Sequence, residues 1–247
     1  MSIPETIGKY TIEYLLIETN KTLVYNCIDT TDQTKCAMKI TKDKKIHDQY
    51  ELLKQINHPN IIKAIDFIQF NDFYGIIFPR ANDDLNEFML KLPYPLSEQK
   101  CRIIMKDLLS AVQYLHSSGI WHRNITIDNV LVFMQKNEEK YALGGFSYAE
   151  HFTQKISGAF GASQYLAPEV IEGKEYDNKI DCWSLGVVMY SILTQNFPYE
   201  EQYNQNKQVD FAGISPVAQD LITHLLCVDP EARYSAEQAL NHSFFSE

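Results

Sequence analysis

The stretch SEQKCRIIMKDLLSAVQYLHSSGIWHRNITIDN, residues 97–129, runs from a helix into a loop crowded with polar side chains. Ile103, Ile104, Leu108, Val112 and Leu115 recur with a helical period, Ser97 stands where an N-cap belongs, and Gly119 stands at the stop. Just beyond, residues 122–129 hold His122, Arg123, Asn124, Asp128 and Asn129. An asparagine amide resembles a carboxylate in shape but has no basicity with which to take a proton from a hydroxyl.

Upstream, the chain reads mainly as strands. YTIEYLLIE (10–18), TLVYNCID (22–29) and KCAMKI (35–40) are rich in Ile, Leu, Val, Tyr and Thr, with turn residues Thr31, Asp32 and Gln33 between the last two. HDQYELLKQI (47–56) reads as a short helix with Leu52, Leu53 and Ile56 on one side, stopped by residues 57–60. IIKAIDFIQF (61–70) and FYGIIF (73–78) read as a hairpin across Asn71 and Asp72. After Arg80 the pattern turns helical: 97–118, the strongly apolar 178–194, then 215–228 and 235–244, each of the last two opened by a serine. The expected architecture is α+β and bilobal over residues 10–244. A small antiparallel β-sheet lobe spans 10–80 and a larger, mainly helical lobe spans 81–244.

Composition sets outer limits. The chain has 247 residues, 45% hydrophobic and 22% charged, as in an ordinary globular protein. Its net charge of −10 argues against nucleic-acid binding, which needs a basic footprint. Apolar runs such as GIIF and GVVMY are too short to span a bilayer, and the first residues lack a secretory signal. The expectation is a cytoplasmic protein. Cys27, Cys36, Cys101, Cys182 and Cys227 are scattered, without paired spacing, and are expected to be reduced thiols.

Six segments resemble the serine/threonine protein kinase family, in the family's order. AMKI (37–40) resembles the strand that carries the nucleotide-binding lysine, with Lys39 in that position. NHPNII (57–62) resembles the segment after helix C, and HRNITIDN (122–129) the catalytic loop. APE (167–169), DCWSLG (181–186), and DPEAR (229–233) followed by NHSFF (241–245) complete the set. The layout is most similar to the calcium/calmodulin-dependent group.

The resemblance also shows what is missing. Phosphoryl transfer needs positioning, magnesium to neutralise charge, and an oriented nucleophile. The three positions of the glycine-rich phosphate loop fall on Ile17, Thr19 and Thr22. The glutamate that should pair with Lys39 is Gln49, and Glu51 lies off its helix face. Asn124 replaces the catalytic aspartate, and Thr126 the loop lysine that steadies the γ-phosphate. Gly145, in Gly145-Phe146-Ser147, replaces the metal-binding aspartate. Asn129 survives as a metal ligand, but a lone amide oxygen makes a poor magnesium site. Ala162 replaces the threonine of the substrate-positioning turn, while Thr153 and Ser157 are potential phosphorylation sites.

What the resemblance retains is packing. Val24 and Ala37 above adenine and Leu131 below it match the family's apolar sandwich. Phe78 matches the gatekeeper, and Pro79 and Ala81 the backbone groups that meet the adenine edge. His122, Phe146 and Leu53 match a second hydrophobic stack. Glu169 and Arg233 match a buried ion pair, and Asp181 begins the central helix motif. The expected function is that of a pseudokinase, a binding, allosteric or scaffolding module. ATP is a candidate ligand with weak or no magnesium dependence, and the expected partner is a protein, an active kinase among the candidates. The alternative is a serine/threonine kinase with a non-standard constellation, needing a carboxylate near Gly145 from Glu138, Glu139 or Glu150.

Overall fold

The computed structural model describes residues 3–92, 95–136, 138–199, 203–204 and 208–246. The chain divides into two compact units, Met1–Asn82 and Asp83–Glu247. The division lies two residues beyond the expected 80/81 boundary. The reason is a strand pairing: Asp83 and Asp84 pair with Val132 and Leu131 and so belong to the second unit.

The first unit is an antiparallel sheet with one helix. Its strands are β1 (Thr6–Ile7), β2 (Tyr10–Glu18), β3 (Thr22–Asp29), β4 (Lys35–Thr41), β5 (Asp66–Phe70) and β6 (Phe73–Pro79), in the order β1-β2-β3-β4-β6-β5. It starts before Tyr10, because Thr6 and Ile7 pair with Thr11 and Tyr10. Alternation along the strands sorts side chains onto two faces. One face buries Tyr10, Cys27, Cys36, Met38, Ile40 and Ile77 in a common core with Ile7. The register Val24↔Lys39, Asn26↔Ala37 and Ala37↔Phe78 places those residues on the other face. Helix α1 (Ile46–Gln55) is ten residues long and buries Ile46, Leu52 and Leu53. The expected strand at 61–70 begins only at Asp66. Ile61, Ile62 and Ala64 are buried all the same, in the connection ahead of it.

The second unit is mainly helical. Helices α2 (Leu85–Leu90), α3 (Glu98–Ser117), α4 (Pro168–Ile171), α5 (Lys179–Thr194), α6 (Pro216–Leu225) and α7 (Ala236–Leu240) accompany strands β7 (Asp83–Asp84), β8 (Ile120–Trp121), β9 (Val130–Gln135), β10 (Glu138–Leu143) and β11 (Glu150–His151). Ser97, Ser215 and Ser235 cap α3, α6 and α7 by accepting from the N–H groups of Lys100, Ala218 and Gln238. Ile103 departs from the sequence expectation: it is 48% exposed, while Ile104, Leu108, Ala111, Val112 and Leu115 form the buried stripe of α3. At 100° per residue, position 103 falls off that stripe. Helix α5 is buried almost all round. At Gly186 a Cβ would lie 2.9 Å from the Leu225 Cβ, so glycine is what lets α6 approach. Among the described residues no helix is long and apolar enough to cross a membrane.

Arg233 ties this unit together. Its Nη1 and Nη2 donate to Glu169 Oε1 and Oε2 at 2.7 and 2.9 Å, a bidentate fork. Nε donates to the Cys227 carbonyl at 2.8 Å, Nη1 also to Lys179 O at 3.0 Å, and Nη2 to Val228 O at 3.4 Å. All five guanidinium donors are thereby used, and the group lies 5.1 Å from the Trp183 ring. Glu169 is buried too. Removing one partner strands a buried charge, which costs about 3–5 kcal/mol. Arg233→Ala should lower the urea stability of the second unit by about that much; a loss below about 1 kcal/mol would show that the fork carries little of the stability.

Candidate functional site

The loop at 122–129 is set by a buried carboxylate. Asp181, in the first turn of α5, accepts from the N–H of His122 at 2.9 Å and of Arg123 at 2.8 Å, and from the His116 ring at 2.9 Å. Burial pushes the Asp181 carboxyl up, but the His116 ring and the other donors outweigh it and hold it below its ordinary value. Arg123 takes a left-handed φ of 61°, unusual for a residue other than glycine. His122 is fully buried. Its Nδ1 accepts from the Asn124 N–H at 3.3 Å, which leaves Nε2 to donate to the Gly144 carbonyl at 2.7 Å. Burial lowers its pKa, consistent with a neutral ring. The ring meets Phe146 edge-on at 4.7 Å.

Asn124, Asn129 and Gly145 close on one another. Asn129 Nδ2 donates to the Asn124 carbonyl at 2.9 Å, and Asn124 Nδ2 lies 3.4 Å from the Gly145 carbonyl. The Gly144 N–H donates to Asn129 O at 2.7 Å. Gly145 has φ +76°, and a Cβ built there would lie 2.3 Å from Asn129 Cγ. The asparagine amide therefore occupies the space that a side chain at 145 would need. The groups present do not fit magnesium: one neutral amide oxygen, and no carboxylate at 145. Among the described residues no cluster of three or more His, Cys, Asp or Glu could hold a metal.

The other residues singled out from sequence in this unit are dispersed. Thr126 is buried, and its carbonyl accepts from the Asn129 N–H at 3.1 Å. Asp128 is exposed and accepts from Asn86 at 3.0 Å. Leu131, on β9, is partly buried beside Gly144. Of the three candidate compensating carboxylates, Glu139 pairs with Lys100 at 2.9 Å and Glu150 with Arg123 at 3.3 Å, while Glu138 is exposed at the start of β10. Thr153 and Ser157 are exposed, and Ala162 leads into the turn 163–165.

Sequence reading passed over the side chain of Arg123. Its guanidinium lies 4.6 Å from the rings of both Phe152 and Phe160, and Nε donates to the Tyr148 carbonyl at 2.7 Å. Together with its Glu150 contact, this folds the segment after Gly145 back onto the loop. The available signal was the aromatic density of that segment, with Tyr148, Phe152 and Phe160 in thirteen residues.

In the first unit, Lys39 Nζ donates to Gln49 Oε1 at 3.0 Å. Burial pushes the Lys39 amine down to about 8. Glu51 pairs with Lys54 at 3.3 Å and His47 at 4.0 Å. Leu53 is buried on α1. Val24, Ala37, Phe78, Pro79 and Ala81 are all partly buried. The hairpin between β2 and β3 is bonded to itself. Thr19 Oγ1 accepts from the N–H groups of Lys21 at 3.3 Å and Thr22 at 3.0 Å, and Thr19 N–H donates to Thr22 O at 2.9 Å.

A protein kinase domain family model matches residues 18–245. The human CaM kinase-like vesicle-associated protein is 28% identical over 235 residues, covering 87% of this chain and 46% of the relative. Calcium/calmodulin-dependent protein kinase type 1 of Caenorhabditis elegans is 28% identical over 235 residues, 89% of this chain and 65% of the relative. A probable serine/threonine-protein kinase of Dictyostelium discoideum, fhkE, is 28% identical over 97% of this chain and 38% of its own length. The chain spans about half the length of the first of these relatives.

Two measurements test this geometry. Gly145→Ala should cost about 1–3 kcal/mol, from the left-handed backbone and the displaced Asn129 amide. Adding Asn129→Ala should return part of that loss in a double-mutant cycle; strictly additive losses would show that the two positions do not share space. For Lys39, the unfolded chain holds the proton up to its ordinary 10.5 and the folded chain only to about 8. Between those values the unfolded state binds more protons, so this residue makes stability rise with pH. Lys39→Met should flatten the rise between pH 8 and 10.5; an unchanged slope would place the titration elsewhere.

Proposed function

The chain belongs to the protein kinase domain family, and we propose that it is a pseudokinase: a binding, allosteric or scaffolding module with little or no phosphotransfer. The observation that carries this reading is the amide cluster of Asn124, Asn129 and Gly145. An amide stands at the position of the general base, and a second amide fills the space of the missing metal carboxylate. Losing a general base alone costs about 10²–10⁴ in rate, or roughly 3–5 kcal/mol of barrier. The hydrogen bond from Lys39 to a neutral glutamine weakens the positioning of phosphate as well.

The partner in this reading is another protein, an active kinase among the candidates, met in the cytoplasm. Nucleotide, where it binds, gains little from magnesium. Retained packing supports a folded module in this role: the Arg233–Glu169 fork, the Asp181 hub and the His122–Phe146 contact are all built. The competing reading, a kinase with a non-standard constellation, needs a carboxylate near Gly145. Glu139 and Glu150 are already paired with Lys100 and Arg123.

Radiolabelled ATP with the purified chain and a generic basic protein is the test, with Lys39→Met as the control for contaminating kinases. No incorporation above that control is expected. Asn124→Asp should not restore activity, because groups that act as a unit are not recovered singly. Gly145→Asp should not complete the site either, since its Cβ collides with Asn129. Incorporation by the parent chain that Lys39→Met abolishes would overturn the non-catalytic reading.

A further inference from the structure

The surplus of negative charge is not shared between the two units. Residues 1–82 hold ten Lys and Arg against ten Asp and Glu, while residues 83–247 hold twelve against twenty-two, so the whole net charge of −10 lies on the second unit. That unit also contains a cavity of about 490 Å³, which shares no lining residue with the Asn124–Asn129–Gly145 cluster. Its volume falls within the roughly 300–1,000 Å³ usual for ligand pockets.

Three segments wall the cavity: the start of α3, the last turn of α5, and the loop that leads into α6. They are bonded to one another. The chain ahead of α3 crosses the end of α5, where the Leu96 N–H donates to the Ile192 carbonyl at 3.2 Å. Glu98 on α3 reaches the start of α6, its Oε1 and Oε2 accepting from the N–H and hydroxyl of Ser215 at 2.8 and 2.7 Å. Tyr190 on α5 donates its hydroxyl to the Asp210 carbonyl at 2.8 Å, which fixes the loop.

The electrostatics of these walls are one-sided. Glu98 and Asp210 contribute carboxylates, and no Lys, Arg or His lines the cavity among the described residues. Both carboxylates bond to neutral donors: Ser215 for Glu98, and the Ala212 N–H at 2.9 Å for Asp210. A carboxylate has about four acceptor sites, so each keeps capacity for a further donor. Helix α5 ends here with no basic residue in its last turn, which leaves the negative end of its dipole uncompensated. Pro95, Leu96, Leu193 and Ile214 add apolar surface. A group that satisfies all of this carries a cation on an apolar stem. Arginine has that form, with a planar fork that matches a carboxylate and methylenes that pack on apolar walls.

We propose that this cavity docks a basic, arginine-bearing segment of a partner protein. The inference rests on the reading that the partner is a protein, and it names what that partner presents. It does not rest on the absence of phosphotransfer: incorporation in the radiolabel assay would overturn the non-catalytic reading and leave this docking site standing.

The probes are fluorescein-labelled nonapeptide pools of degenerate sequence with a fixed central pair: two arginines, two citrullines (the uncharged analogue) or two glutamates. Each is titrated against the full chain by fluorescence anisotropy. The arginine pool should bind about tenfold or more tightly than either of the others, a difference of about 1.4 kcal/mol, and added salt should weaken it. Equal affinities for the three pools would overturn the proposal, and so would no binding of the arginine pool at millimolar peptide. Asp210→Asn and Ala212→Trp alter exposed positions of the cavity wall. Each should weaken the arginine pool by about fivefold or more at an unchanged melting temperature; parental affinity in both would overturn the proposal. Glu175→Gln removes an exposed acid of the same unit outside the cavity and should leave the affinity unchanged. A loss there equal to that of Asp210→Asn would show general attraction to an acidic surface and sink the cavity as the site.

Discussion

One buried carboxylate organises the second unit. Asp181 is fixed on the most buried helix and receives the N–H groups of His122 and Arg123 together with the His116 ring. A carboxylate buried without such donors would be costly, so the loop must come to it. That demand puts Arg123 in its left-handed conformation, aims its side chain into the following segment, and sets His122 against Gly144 and Phe146. Asn124 and Asn129 then meet Gly145 as a consequence.

Much of the fold was legible in short-range patterns. The density of Ile, Leu, Val, Tyr and Thr in TLVYNCID and KCAMKI marked two strands, and the serines at 97, 215 and 235 announced three helix starts through local hydrogen bonds. The Glu169–Arg233 fork could be expected from family resemblance, though its saturation of all five guanidinium donors could not. Ile103 misled because an apolar residue one step from the stripe still looks periodic by eye. The connection at 61–65 misled because Ile61 and Ile62 are buried without lying in β5.

The candidate site was legible as a set of substitutions but not as a geometry. Reading Gly145 as a missing carboxylate identifies an absence. That Asn129 fills the gap depends on a backbone φ and on a contact across sixteen positions. The self-bonded hairpin at Thr19 and Thr22 and the Arg123 contacts with Phe152 and Phe160 are likewise products of tertiary folding. Residue identity reports which groups are present, whereas only the fold reports how they meet. Here Asn124, Asn129 and Gly145 meet through neutral amides and backbone groups.

The irregular spacing of β2 bears on how this chain behaves at high concentration. Residues 14–17, Tyr-Leu-Leu-Ile, are 40–52% exposed, and β1 covers the neighbouring edge only at Tyr10 and Thr11. A straight strand of this composition would be a template for runaway strand addition between molecules. Register breaks between Ile12 and Tyr14 and between Leu15 and Ile17 interrupt the even ladder that an incoming strand must match. Two backbone irregularities thus oppose strand addition, alongside the mutual repulsion of a surplus of acidic groups.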